Sequence, residues 1–100
     1  MTEILDIIGL PALLEQLAEE CAELGQASLK YARRLRNENP TPKTGQECID
    51  ALVEETADVE LCLNILIVAG IISNEDILKV FERKDNRWRK RIQEARHEEQ

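Results

Sequence analysis

Apolar residues recur every three or four positions along most of this chain and almost never alternate, which is the pattern of helices and not of strands. The first sustained stripe runs through Leu10, Leu13, Leu14, Leu17, Cys21, Leu24, Tyr31 and Leu35. It predicts a helix over 10–36, ~40 Å long at 1.5 Å rise per residue. Pro11 suits the first turn, where its missing N–H is not needed. Ahead of it, Thr2–Ile8 reads as one or two turns stopped by Gly9. The stripe ends before Asn37-Glu38-Asn39-Pro40-Thr41-Pro42, so 37–45 is a loop, the linker of the chain and a candidate lid. Thr44 or Thr41 can cap a second helix over 45–69. The second half of that helix, Leu61–Ala69, is apolar nearly all round, and such a helix is covered by more than one neighbour. Gly70 supplies a stop, and Ser73 or Asn74 followed by Glu75 and Asp76 a fresh start. The third helix is placed over 74–95, with Ile77, Leu78, Val80, Phe81, Trp88 and Ile92 at its apolar positions and a frayed tail over 97–100.

The predicted architecture is therefore all-α, a single domain over 1–100 built as a bundle of three main helices. One hundred residues bury only a modest core, and the all-round apolar helix asks for a further neighbour. A second copy of the chain is the simplest source, so the bundle is expected to be completed by homo-oligomerisation, as a homodimer or homotetramer. Hydrophobic residues make up 43 % but aromatics only 3 %, so the core is aliphatic. A formal net charge of −7 argues against a nucleic-acid polymer or an anionic lipid surface as partner. The apolar run Leu61–Ile72 is too short to span a bilayer. Met1–Gly9 has acids where a secretory leader needs bases. The three cysteines, Cys21, Cys48 and Cys62, form no C-x-x-C pair and fall at apolar helical positions, so buried free thiols in a cytoplasmic protein are expected.

Charge placement adds the chemistry. Glu19-Glu20-Cys21-Ala22-Glu23 lies inside the first long helix and Glu54-Glu55-Thr56-Ala57-Asp58 inside the second. Positions three or four apart share a face, so Glu20 projects with Glu23, and Glu55 with Asp58. Glu55 falls within the stripe formed by Leu52, Val59, Cys62, Leu63 and Leu66, and Glu20 at the edge of its own. A bare buried carboxylate costs several kcal/mol, so this set calls for a cation, and hard divalent ions with oxygen ligands match it. Mg²⁺ is the expected ion, with Mn²⁺ a possible substitute. Glu19 is placed to serve a second metal or the attacking water, with Glu20 beside it. On the third helix, Glu82–Arg91 carries six bases against two acids, and Lys84, Arg87 and Arg91 share one face. That row describes an anion site, and together with the acids a pocket for a metal-bridged polyphosphate. No Gly-rich phosphate loop is present, which argues against P-loop ATPase or kinase chemistry.

The order EExxE at Glu19–Glu23, ExxD at Glu55–Asp58, then a basic third helix resembles the MazG-like branch of the all-α nucleoside triphosphate pyrophosphohydrolases. The segments LLEQLAEECAELGQASLKYAR and ALVEETADVELCLNIL carry the likeness, which spans Leu13 to Ile92. The resemblance implies Mg²⁺-dependent cleavage of a (d)NTP to (d)NMP and pyrophosphate, a reaction suited to cleaning the nucleotide pool. It implies Glu20, Glu23, Glu55 and Asp58 as metal ligands, Glu19 at a second metal or the water, and Lys84 and Arg87 on the phosphates. Arg91 joins them by helix spacing alone. Two other classes fit the pattern less well. A di-iron bundle wants Glu-x-x-His pairs, and no histidine follows these acids at that spacing. A non-catalytic helical oligomerisation module would use the acids only as solvated surface, which Glu55 in an apolar stripe does not suit.

Overall fold

The computed structural model describes residues 2–37 and 42–98. Among them the chain is all helix and loop, without a strand. Four helices follow one another: α1 (Glu3–Ile8), α2 (Leu10–Arg36), α3 (Gly45–Val68) and α4 (Asn74–Glu98). The third long helix continues three residues past its predicted end, through His97 and Glu98, and the second stops one residue early.

Each boundary has a local cause. Gly9, at φ +84°, turns the chain between α1 and α2, a conformation that costs a side-chain-bearing residue more than glycine. Asn37 closes α2 in the left-handed region, φ 55°, with Arg33, Arg34 and Arg36 in the last turn, where cations complement the helix dipole. Thr44 opens α3 with a capping box. Its hydroxyl accepts from the Glu47 N–H and its own N–H donates to the Glu47 carboxylate, both at 3.1 Å. The alternative cap, Thr41, and the middle of the 37–45 loop with its proposed lid role lie outside the described residues. At the far end of α3, the Gly70 N–H donates to the Ile67 carbonyl and the Ile71 N–H to the Leu66 carbonyl, each at 3.0 Å. With Gly70 at φ +77° this is a Schellman closure. Ser73 then caps α4, its hydroxyl accepting from the Glu75 N–H at 3.1 Å.

α2 and α3 form an antiparallel hairpin, with α1 folded against α2. Leu13 of α2 meets Cys62, Ile65 and Leu66 of α3, and Leu5, Leu10, Leu17 and Ile72 pack around them. At the loop end, Ala27 and Cys48 are buried. Rising numbers in α2 thus face falling numbers in α3, which carries Glu20 and Glu23 to the level of Asp58 and Glu55.

α4 does not lie along this hairpin, and none of its residues is buried. Its apolar positions face outward, Phe81 64 % and Trp88 69 % exposed. Within one chain the three long helices therefore do not close into a common bundle: two pair and the third stands off. The physical reason is that α4 has an apolar face but the α2–α3 seam is already filled by its own aliphatic residues. The thiol expectation is corrected at one position: Cys48 and Cys62 are buried, but Cys21 is exposed, since it sits just off the stripe that meets α3. No helix among the described residues is long and apolar enough to cross a membrane.

Candidate metal centre

Halfway along the hairpin the aliphatic seam gives way to acid. Glu20 and Glu23 project from one face of α2, Glu55 and Asp58 from one face of α3. One carboxylate oxygen from each can be chosen so that all four lie within 4.8 Å of one another. Glu20 and Glu55 are half-buried, as their places in the apolar stripes require. Their Oε2 atoms are shut off from solvent and accept no hydrogen bond. Buried polar atoms are normally satisfied, so two orphans at one spot mark a place built for something else.

The electrostatics agree. The Glu55 carboxyl is held above the ordinary carboxylate range, first by burial, then by the Glu23 carboxylate facing it as acceptor and like charge, then by Asp58 and Glu54. Glu20 accepts a hydrogen bond from Gln16 Nε2 at 2.6 Å, which draws its pKa down. Burial and the charges of Asp58 and Glu23 together outweigh that bond, and the net direction is again upward. Cys62, beneath the cluster, is pushed up by burial and then by the charges of Glu20 and Asp58. The donor set fits a hard divalent cation: oxygen only, converging from two rigid helices, and short of positive charge.

Of the residues singled out in the sequence, the four ligands come together and the others do not. Glu19 is exposed on α2 and outside the group of four. Lys84, Arg87 and Arg91 are exposed on α4, away from the hairpin. Lys84 instead borders a shallow apolar depression with Ile71, Ile77, Val80 and Phe81 at the α3–α4 elbow. Among the described residues, the acids and Lys84 of that basic row therefore line different depressions, and the single pocket expected to join them is not what these walls form.

Two cations that the sequence did not flag take the neighbouring position. Lys30 and Lys43 border a recess of about 310 Å³ whose other walls include Glu23 and Glu55, with Ala27 and Ala51 between. Helical spacing was the available signal for Lys30, seven residues after Glu23 and so on the same face. Lys43 sits in the loop before α3, where no periodicity points anywhere. Compared with models of protein families, with curated proteins and with solved structures, the chain finds no match.

Proposed function

We propose that this protein is a Mg²⁺-dependent nucleoside triphosphate pyrophosphohydrolase of the MazG-like kind, cleaving a (d)NTP to (d)NMP and pyrophosphate. The observation that carries the reading is the pair of buried, unpartnered oxygens of Glu20 and Glu55 within a four-carboxylate cluster. The order of the two acidic motifs supports it independently. A solvated acidic surface has no reason to bury two acceptors against each other.

Glu20, Glu23, Glu55 and Asp58 hold the metal, Mg²⁺ in the cell and Mn²⁺ as a substitute. When bound, the ion supplies charge neutralisation and Lewis acidity toward phosphate oxygens. The side chains supply the rest. The two helices fix the carboxylates before substrate arrives, so little reorganisation is needed. Gln16 holds Glu20 in one rotamer through its hydrogen bond. Glu19, on the exposed flank, serves a second ion or orients the attacking water. Leu13, Ile65 and Leu66 keep the adjacent seam dry.

The functional unit in this reading is a cytoplasmic homo-oligomer, a dimer or tetramer. Support comes from α4, whose Ile77, Phe81, Trp88 and Ile92 are uncovered, and from Leu61 and Val68, left exposed on the apolar half of α3. A 25-residue amphipathic helix with no buried residue lacks the packing that supplies most helical stability, so a covering surface is needed. Assembly is also the route by which Lys84, Arg87 and Arg91 reach an acidic cluster. The same exposed face is what favours the second reading, a non-catalytic oligomerisation module.

The deciding experiment incubates the protein with canonical and modified (d)NTPs and Mg²⁺ and resolves the products. Monophosphate plus pyrophosphate, lost in Asp58→Asn, is the expected result. Diphosphate plus phosphate, or no turnover of any nucleotide, overturns the proposal.

A further inference from the structure

The recess at the loop-ward side of the carboxylates has its own chemistry. Its volume, about 310 Å³, is at the lower end of the roughly 300–1,000 Å³ typical of small-molecule sites. It exists because Ala27 and Ala51 stand where the seam elsewhere carries larger side chains. Lys30 and Lys43 border it, and neither makes an ion pair among the described residues, whereas the exposed Lys79 does, with Glu75 at 3.5 Å.

Charge balance says what such a recess can hold. Four carboxylates and two divalent ions are together neutral, so even a fully loaded cluster has no surplus charge for an anion. An anionic ligand seated against Glu23 and Glu55 must find further cations, and Lys30 and Lys43 are the ones beside it. An ammonium on a flexible stem suits phosphate oxygens whose direction changes during a reaction. An apolar or cationic ligand would leave both lysines unused.

We infer that this recess receives the polyphosphate tail of the substrate, with Lys30 and Lys43 as binding residues supplied by the same chain as the metal ligands. The inference rests on the metal-site reading and adds to it where the phosphates lie. It makes these lysines, not the α4 row, the cations a single chain offers its own cluster.

The test measures binding of inorganic pyrophosphate to the full chain at saturating Mg²⁺, by titration calorimetry, together with the thermal shift produced by Mg²⁺ alone. Lys30→Met and Lys43→Met should each weaken pyrophosphate binding ~10-fold, the yield of one charge-assisted hydrogen bond, and the double variant more. Lys79→Met is the matched control and should bind as wild type. The Mg²⁺ shift should be the same in all four variants and in wild type. Wild-type pyrophosphate affinity in the double variant, an equal loss in Lys79→Met, or no binding to wild type overturns the inference. A normal Mg²⁺ shift alongside any of these leaves the metal-site reading standing. Conversely, lysine-dependent binding without any Mg²⁺ shift sinks the metal site and keeps the lysine pair.

Discussion

The two halves of the α2–α3 seam are built from the same helices to opposite ends. Toward α1, Leu13 and Ile65 are 1 % and 2 % exposed and pack among Leu5, Leu10, Leu17, Leu66 and Ile72. Two turns farther on, the same faces present four carboxylates, two of them with a buried oxygen that nothing satisfies. One half stabilises the hairpin and the other weakens it. The lesson is that the acid half is tolerated only because the aliphatic half holds the helices together, and that a bound cation reverses the sign of its contribution.

That contrast can be broken from either side. The largest effect is expected at the acids: Glu55→Gln or Asp58→Asn should lower turnover by more than ~100-fold, the scale seen when a preorganised electrostatic group is removed. The hairpin should remain folded, and without metal the Glu55→Gln protein should melt above wild type. Circular dichroism beside a pyrophosphate-release assay reads both. At the aliphatic half, Leu13→Ala should cost ~2–5 kcal/mol in denaturant unfolding by leaving a cavity, while the Mg²⁺ affinity of the folded fraction stays unchanged. Mg²⁺ itself should stabilise wild type by ~2.7 kcal/mol at a hundred times its dissociation constant, with no gain in the Glu55→Gln variant.

The smallest effect belongs to the α3 cap. Thr44→Ala should cost ~1 kcal/mol, and its pH dependence has a definite sign. The Glu47 carboxyl is held below its ordinary value of 4.5, first by the Thr44 N–H and then by the Thr44 hydroxyl. A depressed carboxyl adds stability that is present above 4.5 and is lost as pH falls through its folded value. The difference between wild type and Glu47→Ala should therefore shrink below about pH 4.5. A gap that widens on acidification would contradict the capping box.

Much of this was legible in the residue pattern, and the failures have physical causes. The α2 and α3 boundaries followed from Gly9, Pro11, Thr44 and Gly70, because each imposes a local backbone state. The four carboxylates followed from helical phase, with Glu55 in an apolar stripe as the telling sign. The stance of α4 was not legible, because an amphipathic face states that something covers it and not what does. Cys21 was misjudged for a related reason, since a residue at the margin of a stripe can turn either way. Lys43 was missed because a loop residue acquires its neighbours from the path of the chain, which no period encodes.

Gly70 stands at the joint between the hairpin and α4. Its side-chain position meets open space, with no heavy atom within 4 Å, so only the sign of φ restricts what can stand there. Beyond it α4 extends for 25 residues, ~37 Å of rigid rod at 1.5 Å per residue. A tilt of about 10° at this joint sweeps the far tip through roughly 6 Å over such a length. Adjusting a few dihedrals between Ile72, which stays packed on the hairpin core, and the start of α4 thus re-aims the whole basic arm.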